Sequence, residues 1–99
     1  MNNAYQFQLQ RYLEKANNAP SPYLYRAYVA HLYGTTVEFR YACMHNNLYG
    51  GPKGHGQELA KSLEDACMVI LSAPQFMFPN KRVTDAAITL NNWMSAMQI

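Results

Sequence analysis

The sequence predicts an all-α protein, a single-domain bundle of about five short helices spanning 1–99. Three observations predict it. Apolar residues recur at three- and four-residue spacings in five segments. Helix-ending and helix-starting residues (Pro20, Ser21, Gly34, Gly50, Pro74) fall between those segments. Apolar residues make up 49% of the chain and charged residues 14%, against roughly 25% charged in an average domain. That balance favours a collapsed core and argues against disorder.

The first helix is expected at 3–16. Tyr5, Leu9, Tyr12 and Leu13 lie on one stripe, and Asn2 or Asn3 can cap its start. Pro20 disfavours helical geometry in the residue before it. The second helix is expected at 22–33. Ser21 caps it, and Pro22 suits the first helical position because its missing N–H costs nothing there. Arg26 is its one reliably charged residue. Three stripes run along it: Leu24, Ala27, Tyr28 and His31; Tyr25, Val29 and Leu32; and Tyr23, Arg26, Ala30 and Tyr33. A helix apolar nearly all round is central in a core or pressed against a partner. The first stripe is expected to face the core, with His31 a core histidine. The third is left for another molecule.

Gly34 is expected to end this helix in the left-handed conformation. Thr35 and Glu38 then read as a capping box opening a third helix at 36–48, with Val37, Tyr41, Met44 and Leu48 as its stripe. Val37, Phe39 and Tyr41 also alternate with Glu38 and Arg40 as a strand does, but a lone strand has no partner to pair with. The segment 50–56 holds four glycines in seven residues and reads as the main loop. The fourth helix is expected at 57–73 on Leu59, Leu63, Ala66, Cys67 and Ile70, stopped by Pro74. Gln75-Phe76-Met77-Phe78-Pro79 is a hydrophobic connector expected to tuck onto the core. A last helix at 82–97, capped by Asn80 or Thr84, carries Val83, Ala86, Ala87, Leu90, Trp93, Met94 and Met97.

The chemistry-bearing residues do not assemble into a known catalytic pattern. The glycine-rich loop, with Lys53 and His55 leading into a helix start, resembles an anion nest in outline. It lacks the G-x-x-x-x-G-K-[ST] order, and no βαβ unit surrounds it. A flexible linker is the plainer reading. Cys43 and His45 point about 200° apart on a helix and cannot share an ion. No C-x-x-C or H-x-x-x-H spacing exists among Cys43, Cys67, His31, His45 and His55. Both cysteines read as reduced, buried side chains. No base is placed beside either for nucleophilic catalysis. Glu64 and Asp65 are turned about 100° apart, which suits a solvated face. The expectation is a protein that is not an enzyme and holds no cofactor or metal.

The net charge of +2 is too small to imply nucleic acid by itself. A helix-turn-helix around Gly34, with Arg26, Arg40, Lys53, Lys81 and Arg82 among tyrosines, is the nucleic-acid alternative. Its second helix is poor in groove-reading side chains. Eight tyrosines and six methionines point instead to a protein-binding surface, because both residue types serve at interfaces. Tyr23, Tyr25, Arg26, Tyr33 and Arg40 are the expected contact residues, followed by Lys53 and His55. Replacing Arg26 by Glu is expected to abolish docking with helical content intact. The expected function is a small non-enzymatic inhibitor, of the size and composition seen among phage and mobile-element proteins, that docks on a larger protein complex. A self-associating scaffold subunit is a further alternative. No apolar run approaches the roughly 20 residues of a membrane span, and the N-terminus lacks a secretory pattern. Both suggest a soluble chain in the cytoplasm.

Overall fold

A computed structural model describes residues 4–45 and 54–97. These residues fold into four helices and no strand: α1 (Ala4–Asn17), α2 (Pro22–His45), α3 (His55–Ser72) and α4 (Lys81–Met97). Each helix packs on its neighbours in the cyclic order α1, α2, α3, α4. Every adjacent pair runs antiparallel. Tyr5 meets Phe39 while Tyr12 meets Tyr28. Arg26 reaches Ala73 while Arg40 reaches Glu64. Gln6 bonds Ser95 while Asn17 bonds Thr84. This is an up-down-up-down bundle, the topology that short connections favour. None of its described helices is long and apolar enough to cross a membrane.

The count of four, where five helices are expected, follows from Gly34. The chain does not turn there. α2 runs unbroken through it for 24 residues, about 36 Å of rise, which matches the molecule's 37 Å long axis. Glycine inside a helix costs about 1 kcal/mol relative to alanine. Against this, the second half of α2 buries Phe39, Ala42 and Cys43, and burying a single Phe contributes about 1.5–3 kcal/mol. Burial outweighs the glycine penalty and keeps the helix continuous. The expected capping box does not form. Thr36 instead lies buried and donates its hydroxyl to the Leu32 carbonyl at 2.6 Å, satisfying itself within the helix.

Continuity also changes which stripe is core. Tyr25, Val29, Leu32, Thr36, Phe39 and Cys43 form one buried line. The expected core stripe is half-buried at Leu24, Ala27 and Tyr28, and His31 is exposed. Val37, Tyr41 and Met44, expected to point inward, are exposed too. Around the α2 line gather Leu9 and Ala16 of α1. α3 adds Ala60, Leu63, Ala66, Cys67 and Ile70, and α4 adds Val83, Ala87, Leu90 and Met94. Both cysteines are buried and free of a disulfide, as expected.

Several local expectations hold. Ser21 accepts from the Leu24 N–H at 3.2 Å. Asn80 caps α4 by accepting from the Val83 N–H at 3.1 Å, while Thr84 donates to Asn17. α3 starts two residues earlier than expected and draws in His55 and Gly56. A Cβ on Gly56 would lie 2.4 Å from the Trp93 ring, so the indole packs directly on backbone there. Asn2, Asn3 and Lys53, with the 50–53 part of the glycine-rich loop, lie outside the described residues.

Candidate functional site

The expected contact residues separate into different environments. Tyr23 is 82% exposed. Tyr25 is fully buried and presents nothing to another molecule. Its hydroxyl accepts the Asn80 N–H at 2.8 Å, and its ring lies 5.8 and 5.6 Å from those of Phe76 and Phe78. Burial raises its pKa, partly offset by the Asn80 hydrogen bond. Arg26 is half-buried beside it. Its guanidinium donates to the Ala73 carbonyl, at the C-cap of α3, and sits 5.1 Å from the Phe76 ring centroid. Together Tyr25 and Arg26 pin the 73–80 connector across the start of α2. The connector tucks onto the core through Phe76 and Phe78, as expected, with Met77 left outside. Arg26 is therefore a structural clamp, and replacing it by Glu is a test of the fold as much as of any surface.

Tyr33 is half-buried against the core. Arg40 pairs with Glu64 at 3.2 Å. Burial pushes the Glu64 carboxyl up, and the Arg40 charge pulls it back. His55 stands apart in the first turn of α3, 3.3 Å from Glu58. Of the described contact residues, Tyr23, Arg26, Tyr33 and Arg40 share the outer side of α2.

The structure completes that outer side with residues whose spacing alone suggests other places. Tyr23, Ala27, Ala30, Gly34, Val37, Tyr41 and Met44 follow one another at spacings of four, three, four, three, four and three. From Tyr23 to Tyr41, each lies two residues before a member of the buried line, which turns it about 200° around the helix. α2 thus has two seams on opposite faces. The inner one forms the core. On the outer one Ala27 is half-buried and the other six residues are exposed. No charged residue interrupts it.

Arg26, Tyr33 and Arg40 line its α3 edge. Tyr28 and His31 line the α1 edge, where the His31 ring stacks on Tyr12 at 4.3 Å. A groove of about 350 Å³ bordered by Tyr5, Val37, Glu38, Tyr41 and Ala42 runs alongside. The seam is present in the sequence as a seven-residue pattern. A helix boundary at Gly34 cuts that pattern in two and hides it.

A larger groove, about 570 Å³, lies between α3 and α4. Within it Lys81 pairs with Asp85, and the Thr89 hydroxyl donates to the Asp85 carbonyl. The thiols of Cys43 and Cys67 are both raised by burial, Cys67 to about 12, so neither is a ready nucleophile. Among the described residues, no three His, Cys, Asp or Glu side chains gather to hold a metal ion. The turn that a helix-turn-helix requires is absent at Gly34, because α2 is continuous through it. No protein-family model, curated protein or solved structure matches the chain.

Proposed function

We propose that the protein is a non-enzymatic binding module that acts by laying the outer face of α2 against another protein surface. The observation that carries this reading is the outer seam. Seven uncharged positions extend over about 32 Å of helix, with Tyr23 at 82%, Tyr41 at 60%, Met44 at 48% and Val37 at 39% exposure. Scattered apolar residues on a surface are ordinary, but a contiguous apolar patch marks an interaction site. Tyrosine and methionine within it and arginine along one edge are the residue types that interfaces favour. The face offers shape and apolar area, and the action these support is to cover a partner's surface. The expectation that a larger host complex is the target rests on size and composition, and the same experiment tests it.

That experiment places a photo-crosslinking amino acid at Tyr41 and, in a second protein, at Ile88. Ile88 is a 44% exposed residue of α4, outside the seam. Irradiation in the native cell should give a discrete protein adduct from position 41 and none from position 88, and the adduct's mass identifies the partner. Equal labelling from both positions, or none from position 41, overturns the reading.

A further inference from the structure

We propose that a second copy of this chain covers the outer face of α2, the two α2 helices packing antiparallel across a two-fold axis. The proposal rests on reading that face as a docking surface and names its occupant.

The spacing comes first. Alternating steps of three and four residues keep a seam facing one partner helix along its whole length. A small or irregular partner does not need that regularity over three heptads. The partner that fits is a helix of similar length carrying the same period, and α2 of a second copy is one.

Side-chain size then selects the orientation. After Tyr23 at the start of the seam come the small residues Ala27, Ala30 and Gly34, and then Val37, Tyr41 and Met44. A two-fold contact requires that if one residue faces another, the reverse also holds. In an antiparallel register, Ala27 faces Met44 of the second copy, Ala30 faces Tyr41, and Gly34 faces Val37. The same three layers then repeat in reverse. Within these three layers every large side chain meets a small one, and Tyr23 lies beyond the last of them. A parallel pairing sets Tyr41 on Tyr41 and Gly34 on Gly34, crowding one end and leaving a gap at the other.

The edges agree with this register. On the α1 side, Glu38 comes beside His31 of the second copy. Both are exposed, and an imidazole N–H donates to a carboxylate whether or not the ring is charged. On the α3 side, Arg40 comes beside Tyr33 of the second copy, where a guanidinium is attracted to the ring. Symmetry makes each contact twice, and neither sets like charges together. Size and charge complementarity thus converge on one register from independent residues.

The test exchanges charges across one layer. Ala30→Lys and Tyr41→Glu are made as separate proteins, both at exposed positions. Sedimentation velocity should show the wild-type chain as a dimer at ~100 μM, the range in which a modest interface associates. Each single variant should be monomeric and helical, its dissociation constant raised about 30-fold or more, as for loss of an interface anchor. An equimolar mixture of the two should recover the dimer mass, because one layer becomes Lys–Glu and its symmetry mate stays Ala–Tyr. Should either variant lose helical signal, Ala30→Gln and Tyr41→Ser replace the pair and must each weaken the dimer.

A monomeric wild-type chain, variants that still dimerise, or a mixture that stays monomeric each overturn the proposal. A monomer whose position 41 still crosslinks to a different protein removes the second copy as occupant and leaves the docking face standing. A monomer without any adduct removes both.

Discussion

Tyr25 and Arg26 are adjacent residues of similar interfacial character with separate structural duties. Tyr25 points into the core and holds the start of α4 through Asn80. Tyr25→Phe keeps the ring and leaves the Asn80 N–H without that partner, at a cost of about 1–3 kcal/mol. The urea midpoint should fall accordingly, with amide exchange at the start of α4 accelerated first. Arg26→Glu removes the Ala73 hydrogen bond and sets a carboxylate against that carbonyl. Loss of a charged hydrogen bond costs about 1.5–3 kcal/mol, so this variant should melt at a lower temperature in the absence of any partner.

Gly56 makes a similar point. Its missing Cβ is the space the Trp93 ring occupies. Gly56→Ala should destabilise by about 1–3 kcal/mol through overpacking. In a Trp93→Leu background the same change should be neutral or favourable, since alanine is the better helix former. A double-mutant cycle measured by denaturation reads the sign of the coupling.

At the scale of the element, α2 decides the fold. The sign of one substitution tests its continuity. Gly34 lies within the helix, and a Cβ there meets nothing within 4 Å. Gly34→Ala should therefore raise stability by about 0.5–1 kcal/mol, or about 4–8 °C per kcal/mol in melting temperature. A left-handed helix-ending glycine would show the opposite sign. The measurement belongs in the Tyr41→Glu background, which separates the fold from self-association. α2 also shows why spacing alone does not tell its inner face from its outer one. Both seams have the same period and both are mainly apolar, so the helix has no clear polar side. α1, α3 and α4 each have one, and most of their core residues are legible from it, although Met97, expected inside, is exposed and Ala60 is buried outside the expected stripe.

For the whole molecule, the buried ionisable groups set a pH limit. Burial raises the Cys67 thiol from its ordinary 9.0 to about 12, and Cys43 and Tyr25 move in the same direction. A raised folded-state pKa means that the unfolded chain loses its proton first. The stability these three groups contribute is therefore fully present below about pH 9 and falls as pH rises toward 12. Cys67 alone removes about 1.4 kcal/mol per pH unit in that window. Urea unfolding at pH 8 and pH 10.5 should show the loss, and Cys67→Ala should shrink the difference between them. The α1–α4 contact that closes the bundle carries Gln6–Ser95 and Asn17–Thr84 hydrogen bonds. Amide exchange along this closing seam reads how tightly it is held.

The all-α class, the caps at Ser21 and Asn80, the stop at Pro74, the tucked connector and most of the α3 and α4 core are legible in the chain's residues alone. These are local matters, settled by capping hydrogen bonds, proline geometry and a helix with one apolar side. Whether the chain turns at Gly34, and which side of α2 is inside, are settled by packing between helices. A glycine ends a helix readily and continues one at a cost of about 1 kcal/mol relative to alanine. The burial of Phe39, Ala42 and Cys43 against neighbouring helices outweighs that difference. The same packing draws Tyr25 into the core, makes Arg26 a clamp, and leaves a second apolar seam running the length of α2 on the outside.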